Sequence, residues 1–235
     1  MEKIFSFDPN SPLLFTQFYF WAFFAVVYAI FALIGNKRLM RNTFLFFVSL
    51  FFYFKTSGFS LLILLFVTIS DFLIAKRISR TEKRAAKNAW LILSLVLDLS
   101  ILCFFKYAYF FADFIHNLTG MDIKVVNVFS QIGNIIAGKE MFNVDAIVLP
   151  VGISFFIFQV ISYSVDVYRK EIEPVKNILD FGFYVSFFPQ LVAGPIVRYQ
   201  TVAEEIDANN YDHIFIIFKL DDSQVKDWVG LGSMD

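Results

Sequence analysis

LPVGISFFIFQVISYSVDVYRKEIEPVKNILDFGFYVSFFPQLVAGPIVRY, residues 149–199, is the stretch that decides the fold of this chain. Most of it is apolar, yet it carries Gln159, Tyr163, Asp166, Tyr168, Gln190 and Arg198, together with Pro150, Pro189, Pro195, Gly152 and Gly194. Polar groups are costly in hydrocarbon, and a helix broken at membrane depth must face protein or a water-filled cavity. A run with both features lines a working site more readily than it serves as a plain anchor. Gln159, Tyr163 and Asp166 are spaced by four and three residues, which puts them on one helix face. Such a stripe fits helix–helix hydrogen bonding or the wall of a solvated funnel. The Pro189-Gln190 and Gly194-Pro195 pairs break the last helix and free carbonyls that need cover, which favours a site wall.

The rest of the composition agrees with a membrane setting. Of 235 residues, 58% are hydrophobic and only 17% charged, and Phe alone supplies 33. Soluble domains are about a quarter charged, and so thin a polar coat cannot cover that much phenylalanine in water. The net charge of −1 says little beside its distribution. Basic residues fall in short blocks between apolar runs, as in membrane loops. No basic stripe interleaved with aromatics points to nucleic acid. Cys103 is the single cysteine, so no internal disulfide is expected, and no metal-ligand spacing appears around the two histidines, His116 and His213. The first twelve residues contain Glu2 and Asp8 and lack the basic start of a cleavable signal, so the first span is expected to stay as a helix.

Six apolar segments follow from the pattern: residues 13–34, 44–54, 59–75, 89–111, 146–168 and 178–197. At about 1.5 Å per residue, 44–54 is short for a full crossing and reads as one arm of a hairpin turned at residues 55–58. Between 113 and 145 lies a long connection. Within it Val125, Val128, Phe129, Ile132, Ile135 and Ile136 recur at helical spacing, as in an amphipathic interfacial helix. If both hairpin arms cross, or jointly dip in and return, three basic groups share one side: Lys37/Arg38/Arg41, the block 76–87, and Arg169/Lys170/Lys176. The positive-inside rule makes that side cytoplasmic and puts the N-terminus outside. The expected fold is an all-α, polytopic transmembrane helical bundle with short broken or re-entrant helices.

The runs LPVGISFFIFQVISYSVDVYRK and SFFPQLVAGPIVRY resemble the membrane-bound O-acyltransferases, in their bacterial alginate O-acetyltransferase branch. Arg41-Asn42-Thr43-Phe44-Leu45 leading to Tyr53, the membrane Asp71, and Phe104-Phe105-Lys106-Tyr107 fit the same order. The resemblance covers residues 1–200 as the N-terminal part of such a membrane domain, with 201–235 a non-matching polar tail that reads as a truncated or frameshifted end. It implies transfer of an acetyl or other short acyl group to a hydroxyl of an exopolysaccharide or cell-envelope polymer outside an inner (plasma) membrane. The helices would ring a thin funnel lined by Gln159, Tyr163, Asp166, Pro189, Gln190, Gly194, Pro195 and Arg198. The donor, acetyl-CoA or an acylated carrier protein, arrives on the cytoplasmic side; no cofactor or metal is held; partner acetyltransferase proteins are implied outside. A membrane histidine serves the family as general base. It lies downstream of the AGPIVR run, and in this sequence His213 alone follows that run, in a polar context, so the role is not carried over to it.

Single residues keep bland readings beside the sharp ones. Asp71, Asp98 and Asp166 are functional candidates as membrane carboxylates, or structural partners of other groups. Lys106 is two turns beyond Asp98, roughly 12 Å away, too far for a direct pair. Arg198 suits an anionic donor or lipid phosphate or a snorkelling anchor, and the 76–87 block faces anionic lipid. Two rival functions remain. One is a secondary transporter or flippase component, since broken helices and membrane acids mark carriers as well. The other is an inactive remnant or scaffold.

Overall fold

The computed structural model describes residues 18–34, 38–122, 125–138, 140, 144, 147, 149–188, 191 and 198–199. Among these every regular element is helical: α1 (Phe18–Ile34), α2 (Arg38–Ser57), α3 (Leu61–Arg80), α4 (Arg84–Thr119), α5 (Val128–Ala137), α6 (Ile153–Arg169) and α7 (Ile178–Ser186), with a 3-10 turn, Gly58–Ser60, between α2 and α3. The fold is an all-α bundle. α4 is long and apolar enough to cross a membrane, and Phe20–Ile34 is a shorter apolar helix.

Helix ends differ from the apolar runs in an instructive way. The run 44–54 sits inside a 20-residue helix, because Arg38 to Thr43 continue it at one end and Lys55 to Ser57 at the other. Twenty residues rise about 30 Å, the thickness of a hydrocarbon core. Counting uncharged residues misses this, since Asn42 enters the bundle instead of ending the helix. It is buried, and its amide donates to Asp180 Oδ1 at 3.0 Å. α3 and α4 likewise run past their apolar cores, to Arg80 and from Arg84. α6 starts only at Ile153, where Gly152 takes a left-handed φ of 73°. α7 ends at Ser186; of residues 187–197 only Phe187, Phe188 and Leu191 are described. The amphipathic segment is realised as α5, capped by Asn127, whose side chain accepts from Ser130 N–H at 3.1 Å.

α3 is the central element. It packs against α4, α6 and α7, while α2 lies mainly on α7 and α4 on α6. The core is correspondingly continuous: Ile63, Leu64 and Val67 from α3, Phe156, Ile157 and Val160 from α6, and Phe181 and Tyr184 from α7 are all buried. A second, aromatic cluster joins Phe20 of α1, Phe52 of α2 and Phe188. The outer faces are apolar as well. Leu33 is 85% exposed, Phe110 63%, Trp21 61% and Leu73 56%. An apolar exterior of this extent suits lipid and not water.

Helix direction gathers the cations. The start of α2, the end of α3, the start of α4, the end of α6 and the start of α7 lie at one end of the bundle. Three bonds tie that end together: Asn42 to Asp180, Lys76 Nζ to the Lys176 carbonyl at 3.1 Å, and Lys87 Nζ to the Tyr168 carbonyl at 2.6 Å. At the opposite end, Val151 N–H donates to Ser57 Oγ at 3.3 Å and Ile147 N–H to the Tyr109 hydroxyl at 2.7 Å.

Candidate functional site

α6 carries the polar stripe, and its spacing does what helical geometry requires. Gln159, Tyr163 and Asp166 share a face and are all buried. That face looks toward α7 and the segments flanking it. Gln159 Nε2 donates to the Tyr184 carbonyl at 3.0 Å. The Tyr163 hydroxyl accepts from Val175 N–H at 2.9 Å, which fastens the loop entering α7. Tyr163 also stacks obliquely on Phe181, 4.6 Å between ring centres, and meets Tyr199 edge-on at 5.6 Å. Tyr184 and Tyr199 form a further edge-on pair at 5.1 Å. Gln159 and Tyr163 therefore act as helix–helix ties within this chain.

Asp166 differs. Its Oδ2 is buried without a hydrogen-bond partner. The charges that act on it are those of Arg198, Glu171 and Arg169. Arg198 is itself exposed, next to the buried Tyr199. The structure thus gathers Gln159, Tyr163, Asp166 and Arg198 around the α6–α7 seam. Of the other predicted wall residues, Pro189, Gln190, Gly194 and Pro195 lie outside the described residues, as do His213 and the tail 201–235.

Close approach of α6 to the segment after α7 depends on Gly152. A Cβ there would run into the Leu191 carbonyl oxygen. The same residue needs its left-handed φ to start α6. Gly182 in α7 plays the matching part on the other side, where a Cβ would come within 2.6 Å of the Phe46 ring of α2.

One polar cluster lies away from the seam, where α3, α4 and α6 meet. Asp71, Ser94, Asp98 and Ser164 are each 1% exposed or less. Asp71 Oδ1 accepts from Ser94 Oγ at 2.5 Å and from Ser164 Oγ at 3.2 Å. Both Asp98 oxygens lack a partner. The two acids stand out in the sequence as charges in apolar runs; the serines do not, because a serine in a membrane helix is unremarkable until its partner is known. Tyr184, Val175 and Tyr199 escaped the sequence reading for the same reason. Among the described residues no group of three or more His, Cys, Asp or Glu side chains gathers as a metal site.

The build is that of an all-α membrane-type bundle with a polar seam. Its sequence is similar to the membrane-bound O-acyltransferases of the alginate O-acetylase branch, and the resemblance read from the two long motifs extends over most of the chain. The chain is 33% identical over 190 residues to the "Probable alginate O-acetylase AlgI" of Pseudomonas aeruginosa, covering 80% of this chain and 33% of that protein. The like-named protein of Pseudomonas syringae is 35% identical over 149 residues, 63% of this chain and 25% of its own length. A "Peptidoglycan O-acetyltransferase" of Helicobacter pylori is 30% identical over 226 residues, 86% of this chain and 39% of its own. The chain therefore spans well under half the length of the curated relatives it matches. No protein-family model and no solved structure matches it.

Proposed function

We propose that this chain is part of a polytopic inner-membrane O-acyltransferase that acetylates hydroxyls of an exopolysaccharide or of another cell-envelope polymer. The observation that carries the reading is the 33% identity over 80% of the chain to an alginate O-acetylase. The peptidoglycan O-acetyltransferase relative keeps the acceptor class at the level of envelope glycans. The apolar outer faces of the bundle support insertion, and the gathered cations support a cytoplasmic placement of that end. On this topology the donor, acetyl-CoA or an acylated carrier, arrives at the basic end, and the N-terminus and the acceptor are on the opposite side.

Within the seam, Asp166 and Arg198 are the residues that act on the reactants. Asp166 keeps an unpartnered buried oxygen and Arg198 an exposed guanidinium. An arginine at the wall suits an anionic donor group. The resemblance implies a histidine downstream of the AGPIVR run as general base, and the role proposed for Asp166 and Arg198 is positioning of the reactants. The experiment is deletion of the gene, followed by assay of ester-linked acetate in the polysaccharide and peptidoglycan of the cell. Loss of acetate from one polymer, restored by the wild-type gene and not by Arg198→Ala, is the expected result. Unchanged acetate in both polymers refutes the reading.

A further inference from the structure

The junction of α3, α4 and α6 holds two carboxyl groups and two hydroxyls that are buried from solvent among the described residues. Asp71 is 1% exposed and Asp98 0%. Neither has an ion pair among the described residues, and Lys106, the nearest cation along α4, instead lies over the Tyr107 ring at 5.5 Å. The groups that bear on Asp71 are Ser94, Asp98 and Ser164. Asp98 follows Ser94 by one turn on the same buried face of α4, the face from which Ser94 donates to Asp71, and the two acids bear on one another electrostatically. The Tyr163 hydroxyl, the other titratable group nearby, is already engaged by Val175 N–H.

An ionised carboxylate can only accept. Ser94 and Ser164 must then donate to Asp71, which spends both hydroxyl hydrogens on one oxygen. Asp98 is left with two buried acceptor oxygens and no donor. Two bare carboxylates facing each other in this setting would each forgo their hydration with nothing in its place, and would repel one another as well. A hard metal ion would need about six or more oxygens for calcium or magnesium. The cluster offers two carboxyls and two hydroxyls whose hydrogens already point at Asp71. A single hydrogen between the two acids removes the difficulty. It turns Asp98 into a donor and completes a three-donor shell on Asp71.

We propose that Asp98 is a neutral carboxylic acid that donates its O–H to the Asp71 carboxylate, so that one bound proton joins α3, α4 and α6. The consequence reaches the seam, because Ser164 follows Tyr163 directly in α6. The same bond network that satisfies Asp71 sets the rotation of α6 and so the direction in which Gln159, Tyr163 and Asp166 point.

The test uses the full chain purified in detergent and does not depend on acyl transfer. Infrared difference spectra at neutral pH are expected to show the C=O stretch of a protonated carboxyl that is lost in Asp98→Asn. The same variant keeps an N–H donor toward Asp71, so its melting temperature and membrane abundance are expected to match wild type. Asp98→Leu has similar bulk and no donor, and is expected to lower both. Sodium or calcium added at millimolar levels is expected to leave the wild-type melting temperature unchanged. Absence of the band, its persistence in Asp98→Asn, or equal loss of stability in Asp98→Asn and Asp98→Leu overturns the proposal. Stabilisation by either metal that vanishes in Asp98→Asn overturns it too, in favour of a cation site.

Discussion

At the scale of residues, the buried polar side chains are ties, and each can be cut singly. Tyr163→Phe removes the acceptor of Val175 N–H and leaves that backbone donor buried without a partner. The expected cost is about 1–3 kcal/mol, read as a lower melting temperature in detergent with the helix content unchanged. Gln159→Leu strips the donor from the Tyr184 carbonyl, which sits between α6 and α7, and is expected to fall in the same range. A Tyr163→Phe protein as stable as wild type would show that the hydroxyl faces something other than Val175. The stripe itself was legible in the sequence, since intervals of four and three lie on one helix face whatever surrounds them. Its partners were not. Gln159 finds a backbone carbonyl 25 residues on, and Asn42 finds Asp180 across 138 residues. No local pattern encodes a pairing at such separations.

At the scale of elements, two glycines set how near the helices come. Gly182→Ala pushes a methyl group into the Phe46 ring of α2, and overpacking of this kind typically costs about 1–3 kcal/mol. Gly152→Ala meets a backbone carbonyl, which cannot step aside as a ring can, and also forces a non-glycine residue to a φ of 73°. The second substitution is therefore expected to be the more harmful, with lower yield of folded protein in the membrane than Gly182→Ala; equal yields would contradict the close contact with Leu191. The existence of the helices was readable from the apolar runs, but their ends were not. Uncharged length marks where hydrocarbon-compatible residues stop. Helix length depends also on whether a polar residue at the margin meets a partner, as Asn42 does and as Lys87 does through the Tyr168 carbonyl.

At the scale of the molecule, the gathered basic ends make a prediction about sidedness. Single cysteines placed at Lys83 or Lys170 in a Cys103→Ser background should react with a membrane-impermeant thiol reagent only after the cells are opened. Cysteines at Thr119 or Gly120, at the far end of α4, should react in intact cells whose outer barrier admits the reagent. The reverse pattern, or labelling of both ends from one side, would remove the proposed topology. That the three basic groups share an end was visible in the sequence, because alternation of charged loops and apolar runs counts crossings without any knowledge of contacts.

α4 has one more implication. Its 36 residues make a rod about 54 Å long, against about 30 Å of hydrocarbon. Lying wholly inside would demand a lean of more than about 50°, steeper than the range of about 0–40° found for such helices. On the proposed membrane topology, part of the rod therefore stands clear of the oil. On that topology the exposed rings of Tyr107 and Tyr109 suit the level at which it emerges. Tyr109 also accepts from Ile147 N–H, ahead of α6, so on that topology the height at which this mast leaves the bilayer and the approach to the seam helix are held by one phenol.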